Sequence, residues 1–286
     1  RLVGSEMCIR DREITMADSQ KGKIDMTTGH IMKNIILFAI PIIIGNVLQQ
    51  LYTTVDALVI GKYCGDTSLA AVGTSSQPVE VLLCVFLGIG TGVSILISQY
   101  TGARESGKVV SVCGTSITLI YIVGIPIGIL GWFAAPYILE FMKVPQDVWG
   151  AALIYTRVVF LGTLGNLGYN MNAGILRGLG DSKASLWFLV VSCVSNIVFD
   201  LLFVAGFGMD VAGAALSTSI AMFISWIVSI VYIRKKFPEI QFTYLPRRFS
   251  GTMMKAILAI GLPVGLNNSL YSLAVSYTHQ TLPTIA

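Results

Sequence analysis

The 286-residue chain is 54% hydrophobic and only 12% charged, with a mean hydropathy of +0.76. That is too little charge to cover a soluble surface, so the composition reads as a polytopic, all-α membrane protein. The formal net charge of +4 calls for no nucleic-acid partner, and five scattered cysteines with only two histidines, His30 and His279, argue against a disulfide framework, a zinc site or a histidine-based metal centre.

Residues 1–30 form a polar tail, of which residues 1–13 resemble translated library-adapter sequence, as do residues 277–286 at the other end. Both ends are left out of the fold reasoning, with a natural start expected at Met16 or Met26 and the natural C-terminus expected to be missing. No cleavable signal peptide is expected, because the tail is polar and the first apolar run too long.

Apolar spans follow at 35–60, 77–100, 112–139, 150–176, 184–207, 211–233 and 254–276. Each suffices to cross a bilayer, since about 20 apolar residues span a roughly 30 Å hydrocarbon core. The first span is not uniformly apolar. Asn46, Gln49, Gln50, Thr53 and Asp56 recur at steps of three and four, so a helix places them along one stripe. Such a stripe is costly in lipid and is expected to face protein or a wet cavity, while Pro41 loosens the backbone above it.

The loops set the orientation. Lys21, Lys23 and Lys33, Arg104 and Lys108, Arg177 and Lys183, and the basic stretch from Arg234 to Lys255 share one side, against Lys62 and Lys143 on the other. The positive-inside rule places the N-terminus in the cytoplasm. Arg157 is the exception, inside the fourth span, where it is expected to snorkel outward or to pair with a carboxylate.

The organisation read from this pattern is a six-helix lobe at 31–233, a basic linker at 234–253 and a seventh helix at 254–276. Aligning residue 32 with 254 matches Met32 with Met254, Lys33 with Lys255, Ile35 with Ile257, Pro41 with Pro263, Asn46 with Asn268 and Leu48 with Leu270. An even number of spans separates the copies, which implies a parallel repeat of six-helix halves.

Polar groups recur inside the later spans. Ser192, Asn196 and Asp200 form one stripe of the fifth, and Thr218 lies about two turns into the sixth. At 1.5 Å per residue, Asp200 lies ~24 Å from the inner start of its span and Thr218 ~10 Å from the outer start of its own, so both share the outer half of the membrane with Asp56. Two carboxylates, an amide oxygen and a hydroxyl suit either a hard cation such as Na⁺ or proton uptake by one carboxyl. The alternative is a solvated Asp56 and a packed, hydrogen-bonded Asp200. Thr163, Asn166 and Asn170 share a face of the fourth span, with Asn172 off it, and read first as interhelical glue. The Gly124–Gly128 and Gly261–Gly265 pairs fit close helix packing.

Two motifs mislead. Gly102 to Lys108 follows the phosphate-binding loop until Val109 stands where a Ser or Thr should hold Mg²⁺, and an apolar span, not a strand, precedes it. Gly178-Leu179-Gly180-Asp181 resembles an intramembrane aspartyl protease, but Asp181 shares a basic loop and suits the N-cap of the fifth span.

The segments FAIPIIIGNVLQQLYTTVDALVIGKYCG, ISQYTGARE, ILRGLGDSKAS and NIVFDLLFVAGFGMDVAGAALSTSIA, in that order, resemble the bacterial branch of the multidrug and toxic-compound extrusion (MATE) family. The resemblance implies a two-lobe, twelve-helix fold in the bacterial inner membrane, of which this chain would be a fragment. It implies a secondary antiporter, not an enzyme, that exports drugs or amphiphilic and cationic metabolites in exchange for Na⁺ or H⁺. It implies a first-lobe cation site of Asp56, Asn196, Asp200 and Thr218, with Gln49, Thr53, Asn170 and Asn172 as further candidate lining residues. No cofactor beyond the coupling ion and no obligate protein partner is expected. The readings kept beside it are a lipid-linked oligosaccharide flippase of related fold, which would want a basic lumen, and, from another class, the aspartyl protease.

Overall fold

A computed structural model describes residues 31–240, 242 and 249–285 of the chain. They form seven long helices: α1 (Ile31–Tyr63), α2 (Asp66–Gly102), α3 (Ser106–Phe141), α4 (Trp149–Gly178), α5 (Ser182–Asp200), α6 (Asp210–Lys236) and α7 (Gly251–Ile285). All seven are long and apolar enough to cross a membrane, α5 with the π-helical turn Leu201–Gly206 that continues it. The expected N-terminal tail at 1–30 lies outside the described residues.

Several boundaries differ from the sequence reading. The second span was expected from residue 77, but α2 starts at Asp66, directly after Gly65, whose φ of 85° lets the chain turn between helices. The polar residues that mask this start are satisfied within the helix. Thr74 Oγ1 donates to Ala70 O at 2.8 Å, Ser75 Oγ to Ala71 O at 2.6 Å and Ser76 Oγ to Gly73 O at 2.9 Å. A hydropathy window counts these hydroxyls as polar, whereas the helix cancels them. The linker expected at 234–253 begins as helix, since α6 runs to Lys236 and a 3₁₀ turn spans Pro238–Ile240. At the other end α7 continues to Ile285, past the boundary drawn at 276.

The bundle is organised around α4, which packs against α2, α3 and α6. Its glycines make this possible. Cβ atoms at Gly162, Gly165 and Gly168 would run into Ser219, Phe223 and Trp226 of α6, and one at Gly174 into the carbonyl of Gly90 on α2. In lipid, helices associate through close van der Waals contact rather than a hydrophobic drive, so these missing side chains set the spacing. The Gly124–Gly128 pair of α3 likewise receives Leu164 and Phe160 of α4.

The two ends of the helix order, α1 and α7, attach differently. α1 leans on α5 with Gly45 beneath Leu189, and most of its apolar surface stays open, including Ile43 (60% exposed) and Leu58 (66%). α7 docks on α2 through Gly261 and Gly265, which meet Gly88 and Gly92 backbone to backbone. The alignment of 32 with 254 makes the difference informative. The face by which α1 joins its lobe, Pro41, Gly45 and Leu48, corresponds on α7 to Pro263, Asn267 and Leu270, all exposed. The docked face of α7, Ile257, Gly261 and Gly265, corresponds to Ile35, Ala39 and Ile43, open or half-open on α1. The two repeats therefore present opposite faces to this bundle.

Candidate cation-binding site

Asp56 sits near the end of α1, where Val59 and Ile60 pack with Val204 and Ala214 in a small buried cluster. Tyr52, one turn earlier, donates its hydroxyl to Thr218 Oγ1 of α6 at 3.3 Å. Asn196 of α5 donates from Nδ2 to the same oxygen at 3.2 Å. Asp200, one turn on and fully buried, has the Asp56 carboxyl and Ser217 as its near neighbours, without a hydrogen bond to either. Ser217 itself donates to Gly213 O at 2.7 Å. The four residues expected from the sequence thus meet at one place, from three helices. Immediately beyond, the backbone widens into the π turn Leu201–Gly206, an irregularity that favours functional positions.

What distinguishes this cluster is its unmet demand. Among the described residues, Asp56 Oδ1, both carboxylate oxygens of Asp200 and Asn196 Oδ1 are buried without a hydrogen-bond partner. A buried polar atom left unpaired costs a few kcal/mol, so native structures rarely tolerate several together without a further occupant. Every one of these atoms is an acceptor. A cation or a proton supplies what they lack, and an all-oxygen set of carboxylate, amide and hydroxyl is the chemistry a hard cation takes.

The wider lining expected from the sequence lies apart from this cluster. Gln49 and Thr53 are on the exposed face of α1, Thr53 Oγ1 turned back onto Gln50 O at 2.8 Å. Asn170 folds onto its own helix, donating to Asn166 O and Oδ1 at 2.9 and 2.8 Å, so it is not interhelical glue. Asn172 takes that part instead, fully buried and donating to Ser229 Oγ of α6 at 2.8 Å. Ser229 stands eleven residues beyond Thr218, ~16 Å along α6, which removes Asn172 from the site. Tyr52 and Ser217 join the cluster without having been among the residues expected from the sequence. Tyr52 was detectable, since it precedes Asp56 by four residues and therefore shares its helix face. Glu80 was not among the expected residues either. This carboxylate on the open side of α2 accepts from Ser272 Oγ of α7 at 2.6 Å.

Among the described residues, Arg157 meets no carboxylate and does not snorkel free: its guanidinium lies 5.3 Å from the centre of the Trp132 ring, a cation–π contact between α4 and α3. The two misleading motifs resolve structurally. Gly102 to Lys108 runs from the last residue of α2 through a three-residue turn into the first turn of α3, with Lys108 paired to Glu105 at 2.6 Å. Asp181 caps α5 by accepting from Ala184 N at 3.1 Å, and its other oxygen takes Tyr232 Oη and Lys236 Nζ, each at 2.8 Å. A carboxylate so committed is no half of a catalytic dyad.

A family model, MatE, matches residues 41–202, which contain three of the four clustered residues. The chain belongs to the MatE family. It is 33% identical over 242 residues to the probable multidrug resistance protein YpnP of Bacillus subtilis, covering 85% of this chain and 54% of YpnP. It is 30% identical over 251 residues to the probable multidrug resistance protein YoeA of the same organism, again covering 85% and 54%. A crystal structure of a MATE in complex with MaD3S superposes with a TM-score of 0.80 at 29% identity, covering 87% of this chain and 56% of that one. The MatE chain thus spans about half the length of the curated relatives it matches. Multi-pass membrane architecture and transporter relatives agree with the helices described above.

Proposed function

We propose that the chain supplies one six-helix lobe of a secondary antiporter that exports small amphiphilic or cationic molecules in exchange for Na⁺ or H⁺. Asp56, Asn196, Asp200 and Thr218 serve as the lobe's coupling site, with Tyr52 holding Thr218 in place. The observation that carries this reading is the convergence of unpartnered acceptor oxygens from α1 and α5. On this reading the exposed polar stripe of α1, with Gln49 and Thr53, lines a cavity outside the lobe, and the open faces of α1 and α7 meet a second lobe. The flippase alternative gains nothing, because the intramembrane base it would use, Arg157, lies against Trp132 between α3 and α4 and is not part of the acceptor cluster of α1, α5 and α6.

Transport is the direct test. Proteoliposomes carrying a full-length protein that contains residues 31–274, with 31–233 as its first lobe, should expel ethidium when an inward Na⁺ or H⁺ gradient is imposed. No efflux under either gradient, with the protein inserted and monodisperse, refutes the antiporter reading.

The same reading sets the basic end of the bundle in the cytoplasm, by the positive-inside rule. In a background freed of native cysteines, a cysteine at the exposed Phe207 should react with an impermeant maleimide added to intact cells, and one at Gly107 should not. The reverse pattern overturns the orientation.

A further inference from the structure

The Asp181 network has a second consequence, because it builds one wall of an open cavity of about 370 Å³ between α5 and α6, at the basic end of the bundle. The rim is cationic. Lys236 Nζ is held by Asp181 Oδ2 and by Tyr232 Oη at 2.8 Å each, which leaves its third N–H to give. Lys183 is exposed and has no partner among the described residues. Asp181 is buried and satisfied at both oxygens, so it neutralises one of these lysines and presents nothing to a ligand.

The floor is apolar and runs into the membrane. Trp187 lies one turn beyond Lys183 on the same face of α5 and is 67% exposed, with Val191 a further turn on and Phe188 beside them. A tryptophan at the depth where a span leaves the bilayer marks the headgroup boundary. Charge at the rim and hydrocarbon along the next two turns is the profile of an amphiphile lying parallel to the helices. A free anion has no use for the apolar wall, and a cationic transport substrate would be repelled by the rim.

We infer that this groove is a binding site for an anionic phospholipid of the bilayer, its phosphate held by Lys183 and Lys236 and an acyl chain laid along Trp187 and Val191. Lys236 is fixed by its two partners rather than free, so little side-chain order is lost when a lipid binds.

The 286-residue chain in phosphatidylcholine nanodiscs, doped with brominated phosphatidylglycerol or with brominated phosphatidylcholine, tests this. The signal is the share of tryptophan fluorescence that Trp187→Phe removes. Phosphatidylglycerol should quench it at a lower mole fraction than phosphatidylcholine. Lys183→Gln should weaken that preference about fivefold, the scale of one lysine at a membrane surface, while Lys183→Arg retains it. Equal quenching by the two lipids overturns the inference. So does a preference untouched by Lys183→Gln, or displacement of the brominated lipid by millimolar inorganic phosphate, which would mark a headgroup-only anion site. Lys183 is exposed, so these variants leave packing intact, and size-exclusion elution verifies it.

Discussion

Replacing Asp200 by asparagine should abolish cation-coupled efflux and leave the protein as stable as before or more so. Asp200 is fully buried, with both oxygens lacking a partner. If its role were to hold the fold together, the amide would lose a charge-assisted contact and the melting temperature would fall. If its role is to receive a cation, the amide removes an unpartnered buried acid, and the empty protein gains. The two roles thus predict opposite signs. A contact between a charged group and its partner is worth about 1.5–3 kcal/mol, or roughly 10- to 150-fold in cation affinity. Thr218→Ala deletes one neutral ligand, worth about 0.5–1.5 kcal/mol, and should cost roughly 2- to 12-fold. Asp200→Asn should therefore hurt more.

Thermal stability offers the same test without transport. A cation that binds only the folded protein raises its melting temperature with concentration. Na⁺ titrated into the wild-type chain, or protons in its place, should give that rise, and Asp200→Asn should erase it. Asp56→Asn combined with Asp200→Asn should be little worse than either alone, because ligands of one ion fail together. Two unrelated buried acids would instead multiply their effects. Near-normal coupled transport by Asp200→Asn at wild-type abundance ends the shared-site proposal.

The cluster of the four candidate residues was legible before the fold because helices have a fixed rise. Asn196 and Asp200 share a stripe by spacing alone, and matching depths on α1, α5 and α6 put Asp56 and Thr218 at the same level. Which faces meet was not legible, and the errors follow from that. Asn170 and Asn172 both stood in a polar run of α4, yet one folds onto Asn166 and the other crosses to Ser229, a choice set by the rotation of α4 against α6. The glycine contacts that fix this rotation, Gly162, Gly165 and Gly168, carry no hydropathy signal. The start of α2 was hidden for another reason, since a window counts the hydroxyls of Thr74 to Ser76 without seeing that the helix satisfies them. The repeat was legible in Pro41 and Pro263, but not that the two copies dock by opposite faces. That depends on which helices are present to receive them.

A valine at Gly174 should be among the most damaging single changes to folding, and its rank against two other glycines is the informative part. At Gly174 the new Cβ would run into the carbonyl of Gly90, itself on a residue whose own Cβ would stand 2.8 Å from Asn170 O. Both sides of that contact are backbone, so neither can rotate away, and α2 and α4 must separate. Inserting carbon into a packed interior costs about 1–3 kcal/mol even where side chains can adjust. Gly168→Val meets the Trp226 ring, which can swing aside at the expense of its contacts with Tyr121 and Phe223. Gly107→Val, with nothing within 4 Å, meets open space at the start of α3. The melting temperature in detergent should therefore fall most for Gly174→Val, less for Gly168→Val and least for Gly107→Val, at about 2–4 °C for each kcal/mol in a chain of this size. In a membrane protein, where helix association rests on close contact rather than on expelling water, that order tests whether α4 is the member on which the others are hung. If Gly174→Val melts with Gly107→Val, the α2–α4 contact is not what holds the lobe together.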